Sequence, residues 1–131
     1  MSAARHFSEL HAWQAARTMT LRVYALTAAG PSASDFGFKD QLRRAAVSVM
    51  SNIAEGFGRG RDAEFIRFLD IARGSACEVQ SLLILGCDLG YYDKAALANC
   101  AELIDAIQGR IAGLTNYLSG SVREQQTEYV P

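Results

Sequence analysis

Between Gln41 and Leu69 the chain reads QLRRAAVSVMSNIAEGFGRGRDAEFIRFL, a small-residue segment with adjacent arginines that runs through a glycine-rich turn into a second apolar segment. That order of residues dictates two helices folded back on each other. The rest of the chain repeats the arrangement. Only Pro31 and Pro131 interrupt it as prolines, and glycines gather near Gly30, Gly56 to Gly60, Gly90 and Gly120, leaving four long segments between breakers. The predicted helices span about 8–29, 37–57, 62–89 and 93–119, followed by a frayed polar tail over 120–131. Ser8 starts the first, with Phe7 placed as a hydrophobic staple, and Asp35, Asp62 and Asp93 cap the others, because a short acceptor satisfies the exposed amides at a helix start.

Periodicity assigns the inward faces. Leu97, Cys100, Ile104, Ile107, Ile111, Leu114 and Leu118 alternate spacings of three and four, which makes one continuous seam. The third segment is about 40 Å long at 1.5 Å per residue, with Phe65, Phe68, Leu69, Ala72, Ala76, Val79 and Leu83 inside. Short connections between such helices favour an all-α, antiparallel up-and-down four-helix bundle in a single domain over 1–131. A chain of 131 residues, half of them hydrophobic, suffices for one such core.

Two helices are too apolar for a lone bundle. Leu42, Ala46, Val49 and Ile53 form one stripe of the second helix, and Val47, Met50 and Ala54 form another about a quarter-turn away. Leu82, Leu83, Ile84 and Leu85 point in every direction around the third. Val47, Met50, Ala54, Leu82, Ile84 and Leu85 are therefore the expected oligomer interface, since a monomer leaves them partly in water. Asn52, at the edge of the inner stripe beside Ala45 and Ser48, is expected to be a buried polar residue that bonds across helices and sets their register.

Charge is near balance overall but uneven along the chain: seven cations face five acids from Lys39 to Arg73, and three cations face seven acids beyond it. Arg43, Arg44, Arg59 and Arg61 are the candidate phosphate contacts, because guanidinium forks and the amides of Gly56-Phe57-Gly58-Arg59-Gly60 can engage an anion together. Asp40 within reach of Arg43 or Arg44, and the alternation of Glu64, Arg67, Asp70 and Arg73, oppose that reading by self-neutralisation. The glycine cluster is no nucleotide loop: it follows a helix rather than a strand and lacks the lysine-serine ending of a phosphate loop. It ends one helix and turns into the next.

No catalytic residue, cofactor site or metal site is expected. His6 and His11 are the only histidines and do not share a helical face, and no Glu-x-x-His pair suits a di-iron bundle. Cys77, Cys87 and Cys100 are odd in number, lack metal-ligand spacing and are expected to pack as reduced thiols in a cytoplasmic protein. No apolar run approaches the ~20 residues of a membrane span.

The run Gln41-Leu42-Arg43-Arg44-Ala45-Ala46-Val47-Ser48, then Ser51 to Gly56, Gly58-Arg59, Glu64-Phe65 and Phe68-Leu69 resembles the bacterial four-helix-bundle proteins encoded in intervening sequences of large-subunit ribosomal RNA genes. The likeness extends back to Phe7, Leu10, Trp13 and Ala15 and forward through Ala72, Gly74-Ser75, Glu78 and Leu89-Gly90-Tyr91. Met50 departs from it, standing where such proteins usually carry proline, so any mid-helix kink that proline would impose is expected to be weaker here. The chain is similar also to the accessory variability protein of diversity-generating retroelements. The resemblance implies a ring, characteristically a pentamer, without known enzymatic activity: an adaptor or scaffold that pairs with a protein partner, or alternatively a protein that binds RNA or another nucleic acid.

Overall fold

The computed structural model describes residues 4–128, with side chains through 124. Described residues form helices and no strand: a 3-10 turn at Phe7–Glu9, then α1 (His11–Leu26), α2 (Pro31–Ser34), α3 (Phe36–Gly58), α4 (Asp62–Asp88) and α5 (Lys94–Glu128). The chain is an all-α bundle built on the four long helices.

The first helix starts later than Ser8. The His6 ring accepts from the Ser8 amide while the Glu9 carboxylate accepts from the His6 amide, closing a separate capped turn. Leu10 is extended (φ −72°, ψ 127°) and α1 begins after it. Phe7 stacks edge-on against Trp13, centroids 5.2 Å apart. At the other end α1 stops at Leu26, three residues short of the expected end. Gly30 takes φ +75°, which suits glycine, and Pro31 opens the short α2, where its missing N–H costs nothing.

Asp35 caps α3 through the Phe38 amide at 3.1 Å, and Asp93 caps α5 through the Ala96 amide at 2.8 Å, both as expected. Asp62 does not cap α4. Arg61 occupies the cap position in extended geometry, and Asp62 is the first helical residue, where its charge still faces the positive helix end. Its Oδ2 accepts from the Ser121 hydroxyl at 2.8 Å, which ties α5 to the start of α4. Helix α5 continues through Gly120 to Glu128, past the expected helix end at 119; 129–131 lie outside the described residues.

Helix α1 packs on α3 and α5, and α4 packs on the same two. Partner numbers fall on α4 as they rise on α3: Gln41 bonds Glu78, Ser48 bonds Ser75, and Gly56 lies against Phe65 and Phe68. Between them lies one core that includes Met19, Val23, Leu42, Ile53, Leu69, Leu83, Ile104, Ile107 and Ile111, all essentially inaccessible. Every predicted inner residue of α4 is buried, as is the Leu42, Ala46, Val49, Ile53 stripe of α3. In α5, Leu97 and Leu114 are only half-buried at the margin of that core.

One tie joins the loops at the end of the bundle. The Tyr91 hydroxyl donates to Asp35 Oδ2 at 2.6 Å while Oδ1 caps α3, so a single carboxylate holds both the α2–α3 and the α4–α5 connections. The Tyr91 hydrogen bond, then the Phe38 amide, holds the Asp35 carboxyl below its ordinary 3.8, and the same bond raises the Tyr91 phenol. A carboxyl lowered in the folded state stabilises above its unfolded pKa, and that contribution is lost as pH falls through the lowered value. Thermal melts from pH 6 to pH 2.5 are expected to show a shallower acid decline for Asp35→Asn and Tyr91→Phe than for the parent chain; parallel curves would remove this tie from the account.

Candidate functional site

The four arginines singled out by sequence do not converge. Arg43 turns inward toward α1: its Nε donates to Thr27 Oγ1 at 2.8 Å, an Nη to the Tyr24 carbonyl at 3.3 Å, and its guanidinium lies 4.3 Å from the Tyr24 ring centroid. Arg44 pairs with Asp40 at 2.8 Å, which settles the choice between the two arginines. Arg59 pairs with Glu55 at 3.0 Å and covers the Phe68 ring at 5.0 Å. Arg61 alone of the four presents a guanidinium without a partner among the described residues. Further along α4, Arg67 pairs with Glu64 at 3.2 Å and Arg73 with Asp70 at 2.9 Å. All four ion pairs are exposed, so water and salt screen them; their consequence is charge cancellation rather than rigidity.

Asn52 is half-buried and bonds within its own helix, its Nδ2 donating to the Ser48 carbonyl at 2.8 Å and to Ser48 Oγ at 3.0 Å. The bond across helices runs from Ser48 to Ser75, oxygen to oxygen at 2.9 Å. Asn52 therefore orients the hydroxyl that reads the register and does not cross the interface itself. A second crossing bond, from Thr20 Oγ1 to the Ala46 carbonyl at 3.2 Å, ties α1 to α3. Sequence alone carries no signal for either, because one joins two serines and the other a threonine to a backbone carbonyl, with partners 26 or more positions apart.

The six expected interface residues divide. Val47, Ile84 and Leu85 are 39%, 46% and 46% exposed, whereas Met50, Ala54 and Leu82 are half-covered by their own helix pairs. Large apolar side chains also stand out at Leu21, Tyr24, Phe36, Ile71, Leu89 and Tyr117. A helical wheel could have shown Leu21, which lies opposite the buried Ala12, Ala16, Met19 and Val23.

Among the described residues no cluster of His, Cys, Asp or Glu could hold a metal, and no helix is long and apolar enough to cross a membrane. The cysteines are free; Cys100 is buried, Cys87 half-buried and Cys77 exposed, so the expectation of three packed thiols holds fully only for Cys100, whose burial raises its thiol pKa. A shallow open groove of about 560 Å³ runs along the outside of α3, lined by Tyr24, Asp40, Arg43, Arg44, Val47 and Ser48. Its ionisable groups already have partners.

Fold and surface together define a small helical bundle whose polar side chains tie its helices to one another and whose apolar surplus faces outward. The chain belongs to the 23S rRNA-intervening sequence protein family, whose model matches residues 8–113. Among solved structures it is similar to a protein with unknown function from the S23 ribosomal protein family of Bacteroides thetaiotaomicron, at 20% identity over 85% of this chain and 97% of that one, with a TM-score of 0.56. That likeness extends to the fold. No curated protein matches the chain.

Proposed function

We propose that the protein is a non-enzymatic adaptor or scaffold: an antiparallel up-and-down four-helix bundle that assembles into a homo-oligomeric ring in the cytoplasm, a pentamer by the family resemblance. One observation carries this reading. Leu21, Val47, Ile71, Ile84, Leu85 and Leu89 are between 39% and 65% exposed on the outer faces of three helices, apolar surface that self-assembly would withdraw from water. Nucleic-acid binding has less support, because Arg44 and Arg59 are cancelled by carboxylates and Arg43 is held against Tyr24 and Thr27. A phosphate-binding surface needs several uncommitted cations in one place.

Sedimentation velocity at micromolar concentration, run beside filter binding of a structured RNA across a salt series, tests the reading. The expected result is a species several times the 14.2 kDa chain mass, with RNA retention changed less than about twofold by Arg59→Ala/Arg61→Ala. A monomer that holds RNA at low salt and loses it on that double substitution would replace the scaffold by the nucleic-acid reading.

A further inference from the structure

Two faces of this molecule carry opposite charge beside exposed apolar side chains, and they lie on helices that cannot meet within one chain. Helix α1 contains Arg17 and Arg22 and no acid. Arg17, Leu21 and Tyr24 follow one another at spacings of four and three along its outer side, with Leu21 65% exposed. Arg43 adds a third positive charge there, bound to a hydroxyl, a carbonyl and a ring but to no carboxylate. The second half of α4 is the converse. From Gly74 to Asp93 the chain has no lysine or arginine, while Glu78, Asp88 and Asp93 are present. Glu78, Leu82, Leu85 and Leu89 follow at spacings of four, three and four, so they form one row, and Asp88 flanks it.

The acids in the first half of α4 are neutralised by arginines three residues on, Glu64 by Arg67 and Asp70 by Arg73. Glu78 receives only a long bond from Gln41, at 3.5 Å, and Asp88 has no cation beside it among the described residues. Because α1 and α4 each pack on α3 and α5, they occupy opposite corners of the bundle and their outer faces point apart. Complementary patches on opposite sides of one molecule make a head-to-tail contact, and that contact closes into a ring when the rotation between copies permits.

We infer that the acidic, leucine-bearing face of α4 (Glu78, Leu82, Leu85, Asp88, Leu89) is the docking surface for the outer side of α1 of a second copy of this chain, where Leu21 stands between Arg17 and Arg22 on its two flanks. This rests on the self-assembly reading and goes beyond it by naming the two surfaces, their polarity and the charge that aligns them. Apolar side chains supply the buried area, and the opposed charges set orientation and reject like-charged approaches. Association through these faces weakens as salt is raised, because pairs at a rim are screened within a Debye length of about 8 Å at physiological ionic strength.

Charge exchange tests it. Glu78→Arg/Asp88→Arg and, separately, Arg17→Glu/Arg22→Glu are expected to weaken self-association at least about tenfold in sedimentation equilibrium. Circular dichroism should show both folded, since all four side chains are exposed. A chain carrying all four substitutions is expected to regain assembly, because its faces are again complementary. An oligomeric parent chain indifferent to both pairs of substitutions would overturn this assignment and leave self-assembly standing; a monomeric parent would overturn both. Weakening by both pairs without recovery in the fourfold variant would also overturn it, as the two faces would then not be partners.

Discussion

Gly56→Ala is expected to destabilise the folded chain by about 2 kcal/mol, although alanine is the better helix former. Gly56 lies inside α3, buried where α3 closes on α4. A Cβ built there would stand 2.6 Å from the Phe68 Cβ, 2.9 Å from Phe65 Cδ1 and 3.4 Å from the Phe65 carbonyl oxygen. The first of those atoms is attached directly to the α4 backbone and has no rotamer to escape into. The helices must therefore separate, and overpacking of that kind costs about 1–3 kcal/mol, outweighing the roughly 1 kcal/mol that alanine contributes in an exposed helix. Gly74 is the control: it is exposed in the middle of α4 with nothing within 4 Å, so alanine there should stabilise by up to about 1 kcal/mol. Urea unfolding of the two variants checks both signs; equal shifts would mean that the tight α3–α4 approach is not what glycine serves at position 56.

The second large effect is expected at Gly86. It sits in the last turns of α4, and a Cβ there would collide with the Tyr92 hydroxyl and approach Phe38 Cζ to 2.6 Å. Tyr92 lies across this glycine to donate to the Leu83 carbonyl at 2.6 Å, and burial pushes its phenol pKa well up. Alanine must displace that ring, so the overpacking and the lost hydrogen bond together cost about 2–3 kcal/mol, a fall of roughly 10 °C in Tm for a chain of this size. Tyr92→Phe separates the two contributions. It removes the hydrogen bond and leaves the space, and should cost about 1 kcal/mol. If Gly86→Ala costs no more than Tyr92→Phe, the steric part of this explanation fails.

Both glycines show where sequence reasoning stopped. The cluster from Gly56 to Gly60 was legible as a helix end and turn, and Gly60, at φ +76°, serves that role. Gly56 does something else: it admits two phenylalanines from the next helix. Nothing in the local pattern distinguishes a glycine that ends a helix from one that lets another helix approach, because the difference lies in atoms nine and twelve residues away.

The arginines teach the same lesson. Spacing foretold that Arg67 and Arg73 would be neutralised, since charges three apart on a helix share a face. It left Arg43 and Arg44 undivided. Packing divided them: one helical position carries Arg44 outward to Asp40, and its neighbour carries Arg43 inward to Tyr24 of α1 and to Thr27 just past its end. The start of α1 and the cap of α4 were misplaced for a related reason, as a histidine–glutamate turn and an arginine in extended geometry occupy positions where serine and aspartate are the usual residues.

What the sequence by itself determined is the class of object: helices of defined length, each with a readable inner face, because the 3.6-residue period, the breakers and the Asp35 and Asp93 caps are local properties. It pointed also to apolar side chains off the inner faces, Val47, Ile84 and Leu85 among them, since a wheel counts every side chain wherever it ends up. Only the tertiary structure decided which surplus faces water, which arginines remain uncommitted, and which acids on α4 lack a partner. Those depend on distances between helices far apart in the chain, and such distances are set by how Gly56, Gly86, Ser48 and Ser75 let neighbouring helices approach.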